Sequence, residues 1–237
     1  MLGNAIEAAP IAFTVLVRSG RYVAANGAAS RLSGYTRPEL LTLSTDDLSA
    51  DRKRTRAAIA EAFRTGHGAG IRELRRKDGS VVPMEFRLAA AELAGDPLLV
   101  AAWWPADGEE PAELEPVEEE SAAVSRAQER VLGLAFQQAP IAVTVSDADA
   151  AYLALNDRAC AITGYSRAEL FELGAWGVVV APRDRVGSDL LATPGIRSGE
   201  ATVRCADGST KKVEFRAATT TLGRRQVRIA VWWESGA

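Results

Sequence analysis

Few side chains in this 237-residue chain can do covalent or acid–base chemistry. His67 is its single histidine, so no Ser/His/Asp set and no imidazole-activated nucleophile emerges. The two cysteines, Cys160 and Cys205, are too few for a disulfide framework and read as thiols of a reducing cytoplasm. No metal-ligand cluster and no glycine-rich phosphate loop is visible. The expectation is a protein that is not an enzyme. What stands out is aromatic. Trp103-Trp104 and Trp232-Trp233 are adjacent pairs in apolar runs, and neighbouring strand residues face opposite ways. Each pair therefore sends one indole toward the core or a pocket and the other to the outer sheet face, under a helix or a dimer partner. A sharper reading makes the inward indoles an aromatic wall for a flat ligand.

These residues sit in a sequence written twice. Ala9-Pro10-Ile11-Ala12 recurs as Ala139-Pro140-Ile141-Ala142, an offset of 130 that also pairs Thr14 with Thr144, Tyr22 with Tyr152 and Asn26 with Asn156. Gly34-Tyr35 matches Gly164-Tyr165. The register drifts to 133 at Asp51-Arg52 and Asp184-Arg185. It then settles at 129 through Asp78-Gly79-Ser80 with Asp207-Gly208-Ser209, Glu85-Phe86-Arg87 with Glu214-Phe215-Arg216, and the tryptophan pairs. The order of matches is kept throughout. Two domains are expected, 1–106 and 121–237, joined by an acidic Pro/Glu linker at 107–120. A helix over 121–138, carrying Val124, Val131 and Leu134, opens the second, and Leu2 to Ala9 is its shorter counterpart.

Local chemistry predicts the elements of each copy. Ala12–Val17 and Arg21–Ala25 form a hairpin about Ser19-Gly20, and Ala142–Val145 pairs with Ala151–Leu155. Asn26 and Asn156 cap a short helix that ends at Gly34 or Gly164. Thr36-x-x-Glu39 and Ser166-x-x-Glu169 are capping boxes opening another. Asp51–Thr65 reads as an amphipathic helix, and its counterpart at Asp184–Ser198 is shortened or broken by Gly187, Pro194 and Gly195. Three strands finish each copy: Ile71–Arg76, Val81–Ala90 and Leu98–Trp104, then Ala201–Cys205, Lys211–Thr220 and Val227–Trp233. Glu85, Arg87, Glu214 and Arg216 fall on polar strand faces, as solvated charges or cross-strand partners. The fold class is α+β, each domain a five-stranded antiparallel sheet with short helices on one face.

Composition narrows the partners. With 47% hydrophobic and 25% charged residues, the chain is an ordinary globular protein. Its net charge of −3 and pI near 5.4 leave no basic footprint, so no nucleic acid is expected. No signal peptide and no run of about 18 apolar residues occurs, so no membrane contact is expected.

The entry Ala-Pro-Ile, the Asn before a short helix, Gly-Tyr-[Ser/Thr]-x-x-Glu-Leu, a later Asp-Arg and the Asp-Gly-Ser hairpin resemble PAS domains, in order and over nearly the whole of each copy. The resemblance implies a sensory or signalling protein acting through dimerisation or partner binding, as a homodimer or with a signalling partner. It also admits a small ligand, a flavin or an apolar metabolite, in the cavity between sheet and helices. Met84, Phe86, Trp103, Trp176, Phe215 and Trp232 are the expected pocket lining. Haem is disfavoured, because His67 sits in a glycine-flanked loop and the second copy has no histidine. Cys160 precedes Gly164-Tyr165, whereas the reactive cysteine of flavin photosensors follows that turn; it reads as a small buried residue. Cys205, ending a strand, reads as exposed. Many relatives end in Asp-Ile-Thr and continue into an output domain. Here Trp-Trp-Glu is followed by Ser235-Gly236-Ala237 alone, so output through a partner or self-association is expected.

Overall fold

A computed structural model of the chain describes residues 1–93, 95–107, 122–180 and 196–235. The first copy runs α1 (Leu2–Ala8), β1 (Ala12–Val17), β2 (Tyr22–Ala25), α2 (Gly27–Ser33), α3 (Arg37–Thr42), α4 (Arg52–Thr65), β3 (His67–Arg75), β4 (Val81–Leu93) and β5 (Asp96–Pro105). The second runs α5 (Ala122–Gln137), β6 (Ala142–Ser146), β7 (Tyr152–Leu155), α6 (Asp157–Thr163), α7 (Arg167–Val178), β8 (Ile196–Arg204), β9 (Thr210–Leu222) and β10 (Arg225–Glu234). Each copy is a five-stranded antiparallel sheet, ordered β2-β1-β5-β4-β3 and β7-β6-β10-β9-β8. The α+β class is as the sequence predicts. Residues 108–120 of the 107–120 linker, residue 121 and the stretch 181–195, including Asp184-Arg185, Gly187, Pro194 and Gly195, lie outside the described residues.

Capping chemistry fixes the short helices. Asn26 Oδ1 accepts from Ala29 N and Asn156 Oδ1 from Ala159 N, while Gly34 and Gly164 close α2 and α6 at φ 77° and 75°. Both capping boxes form, at Thr36/Glu39 and Ser166/Glu169. The asparagines do more than cap. Each is fully buried. Asn26 Oδ1 also accepts from Phe13 N at 2.9 Å, and its Nδ2 donates to Ile6 O and Ile11 O at 2.8 and 2.9 Å. Asn156 repeats this with Val143 N, Phe136 O and Ile141 O. One side chain thus ties the end of the leading helix to the first strand and the next helix.

Those leading helices cross over. The body of α5 lies on the first copy's sheet, where Gln128 Oε1 accepts from Ala25 N and Phe136 meets Phe13 edge-on at 4.9 Å. In return α1 reaches the second sheet, where Thr220 donates to Ala8 O. The helices meet at Gly3 and Gly133, which are equivalent at the offset of 130. A Cβ on Gly3 would lie 2.4 Å from Glu129 O, and one on Gly133 would lie 3.2 Å from Gly3 Cα. Only glycine admits this backbone approach.

One continuous core joins the copies. Alternation along β5 sends Leu98, Val100, Ala102 and Trp104 outward, and β10 does the same with Val227, Ile229, Val231 and Trp233. These outer faces, with Ile6, Leu132 and Phe136 of the crossing helices, form a single cluster. The inner faces make separate cores under each copy's own helices. The buried stripe of α5 is Leu132, Ala135 and Phe136, and Leu134, counted on the apolar face from sequence, is exposed.

Replacing Asn26 or Asn156 with Ala strands several buried backbone groups, and should cost about 3 kcal/mol or more in urea unfolding. Thr36→Ala, at a half-buried cap, should cost about 1 kcal/mol. Equal effects would refute the tying role. Gly3→Ala should lower stability by about 1–3 kcal/mol through forced separation of the helices, and an unchanged midpoint would mean that the helices do not touch.

Candidate functional site

Two kinds of site emerge from this arrangement: an inner cavity in each copy and the seam between copies. Residue alternation builds both at once, because Trp103 and Trp104, or Trp232 and Trp233, belong one to each.

At the seam, Trp104 and Trp233 stack with ring centroids 6.4 Å apart and planes 15° from parallel. Arg87 Cζ sits 4.1 Å from the Trp233 centroid and Arg216 Cζ 5.1 Å from that of Trp104. Each arginine also pairs with a glutamate of the opposite copy, Arg216 with Glu85 at 2.7 Å and Arg87 with Glu214 at 3.2 Å. Glu85 accepts from Trp104 Nε1 at 3.1 Å as well, whereas Trp233 Nε1 is buried without a partner among the described residues. Burial lowers the Arg87 guanidinium from its ordinary value, with Glu214 opposing. The sequence reading left these four charges to solvent or to neighbouring strands. They are instead the polar half of the seam, and the signal for them was their recurrence at the offset of 129.

The first copy's cavity measures about 120 Å³ and is lined by Tyr22, Phe86 and Trp103, with Thr14, Leu16 and Arg72 around them. Burial raises the Tyr22 phenol. The second copy's cavity, about 100 Å³, is lined by Tyr152, Phe215 and Trp232, with Thr144, Ser146 and Arg228. Here burial pushes the Tyr152 phenol up to about 12, so the hydroxyl stays protonated at neutral pH. Met84 is buried in the first core but does not line the cavity. Trp176 is half-buried on α7 and is not among the residues lining the second cavity, which takes Ala175, Val178 and Val179 from that segment. Gly174 adopts φ 61° and kinks α7 just before these residues. Arg228 is the repeat counterpart of Leu99 at the offset of 129, a position the sequence analysis does not single out.

Several residues sit elsewhere than expected. His67 is no loop residue but opens β3, exposed, beside a groove of about 360 Å³ between the copies that Arg87, Arg158, Trp233 and Glu234 also line. Cys205 is buried, its Sγ 3.7 Å from Ile162 O, because the Asp207–Ser209 turn folds back over α6. Cys160 is half-buried, and burial raises its thiol, which disfavours the thiolate. Among the described residues, no cluster of His, Cys, Asp and Glu could hold a metal, and no helix is long and apolar enough to cross a membrane.

As bounded by the described residues, the cavities are too small for a flavin. Sites for ligands of that size run to roughly 300–1,000 Å³, several times the room present.

Two PAS domain profiles match the chain, one over residues 10–103 and one over 130–193, together more than half its length. No curated protein matches it. Among solved structures, the PAS domain of a Desulfitobacterium hafniense protein is 23% identical, covering 43% of this chain and 98% of that one at a TM-score of 0.41. The PAS domain of an HTR-like protein from Haloarcula marismortui is 24% identical, covering 47% and 94% at 0.42. A structure titled as an RNA-binding Light-Oxygen-Voltage receptor covers 96% of this chain and 95% of its own, at 14% identity and a TM-score of 0.43. These superpositions are loose, and the assignment rests on the family matches. With one profile on each copy and the same strand order in both, the chain belongs to the PAS family as a tandem PAS domain protein.

Proposed function

We propose that this chain is a non-catalytic sensory and signalling module whose two PAS copies work as an intramolecular pair. The observation that carries the reading is the seam. In both copies the outer sheet face that would otherwise recruit a partner is covered by the other copy, through the Trp104–Trp233 stack and the crossed Arg–Glu pairs. On this reading, the cover that the sequence left to a helix, a homodimer or a signalling partner comes from the other copy of the same chain. A signalling partner would engage surface outside the pair. Two unpaired thiols, one of them buried, suit a cytoplasmic setting.

A route from sensing to signalling is built into the strands. Trp103 and Trp232 line the cavities, and the next residue of each strand, Trp104 or Trp233, forms the stack. A ligand that shifts β5 or β10 would move both members of a pair, since alternate faces of one strand cannot move independently. Ligand sensing is therefore a second reading, favoured by cavities whose linings differ between the copies. The acceptable ligand is small.

Coupled unfolding tests the pair. Trp104→Ala should cost about 3–5 kcal/mol and should lower the stability of the second copy's β10 as well as the first copy's β5, followed by hydrogen exchange of each strand. Protection of β10 that is untouched by Trp104→Ala would mean two independent domains on one chain.

A further inference from the structure

The two cavities differ most at one cross-strand pair. In the first copy β1 and β5 place Leu16 opposite Leu99, an apolar pair in the inner core. In the second, β6 and β10 place Ser146 opposite Arg228. The repeat has put an arginine where its sister keeps a leucine. Arg228 is 9% exposed, and its Nε and Nη2 are buried without a hydrogen-bond partner among the described residues. No carboxylate lines the cavity among the described residues. Burial lowers its guanidinium from the ordinary value, with Tyr152 opposing, yet arginine stays charged in proteins. An uncompensated buried cation is costly, and the donors it leaves open form a planar fork that matches a carboxylate.

The rest of the lining narrows the ligand. Val178, Val203, Val213, Phe215 and Trp232 make apolar walls, while Thr144 and Ser146 bring hydroxyls to the strand end where Arg228 lies. A volume of about 100 Å³ is the room of a few waters, enough for an acid of roughly two to four carbons. An inorganic anion would satisfy the guanidinium and leave the walls unfilled. The first copy, with Leu99 in this place and Arg72 brought in from β3, lacks the buried cation.

We propose that the second copy's cavity binds a short-chain organic carboxylate, clamped by the Arg228 guanidinium with its carbon skeleton against Phe215 and Trp232. This rests on the sensory reading above, and it places the ligand in the second copy.

The test uses the full chain and a panel of acetate, propionate, butyrate and pyruvate at fixed ionic strength. Propionamide serves as the neutral control, and phosphate and nitrate as inorganic ones. Binding is read by calorimetry and by the shift in unfolding temperature. The expected result is saturable binding of at least one acid and none of the amide. Arg228→Lys should weaken it about tenfold or more by removing the fork. The double variant Ser146→Leu/Arg228→Leu installs the first copy's own pair. It should raise the unfolding temperature of the ligand-free protein, because it removes an unpaired buried charge, and should abolish binding. No saturable binding by any acid, equal binding of propionamide, tighter binding of phosphate or nitrate, or undiminished binding in the double variant would each overturn the proposal. The double variant leaves the Trp104–Trp233 seam intact, so the hydrogen-exchange coupling between β5 and β10 reports on the pair separately from this outcome.

Discussion

A sheet with its own helices on one side leaves its other face to water, and in this chain that face is apolar twice over. Leu98, Val100, Ala102 and Trp104 on β5, and Val227, Ile229, Val231 and Trp233 on β10, are all buried only because the copies cover each other. At roughly 25 cal/mol per Å² of apolar surface, exposing two such faces would cost a large fraction of the 5–15 kcal/mol by which most domains are stable. The remaining architecture follows from that need. The leading helices cross to fill the space beside the sheets, and Gly3 and Gly133 let them pass at backbone contact. Asn26 and Asn156 set the angle at which each helix leaves its own copy.

Apolar burial alone would not choose one alignment of two similar faces. The charges do that. Glu85 and Glu214 lie next to the stacked indoles and meet the arginine of the opposite copy, so a shift of one residue along either strand would bury a charge without its partner. Pairs of this kind add little to stability once desolvation is counted, and their use is in register. The symmetry is incomplete: Trp104 Nε1 is satisfied by Glu85 and Trp233 Nε1 is not. The longer of the two ion pairs is also on the Trp233 side. The second copy's half of the seam is the looser one, and its strand β10 is also the one that carries Arg228.

Much of this was legible in the amino-acid sequence because it is local. The glycine stops at Gly34 and Gly164, both capping boxes and the Asp-Gly-Ser turns depend on residues within a few positions of one another, and they formed as read. The split of each tryptophan pair between faces followed from strand geometry. What covers the outward indole did not, since that depends on chain more than 100 residues away. The same distance hid the roles of Glu85 and Arg216 and left Leu134 on the wrong side of α5. Cys205 was misplaced because a strand end looks exposed until a turn folds over it. Arg228 is a different case. Its signal, a cation at the position where the other copy has a core leucine, was present in the sequence and needed the strand register to show that it faces a cavity.

The central claim is that the two copies hold each other through the seam and not through the segment that joins them. It is tested most directly by placing a specific protease site between residues 108 and 121, cutting the native protein, and measuring mass by size exclusion with light scattering. The account predicts that the two fragments stay together at the 25.2 kDa of the uncut chain. Fragments that elute apart, each folded and at its own mass, would contradict it.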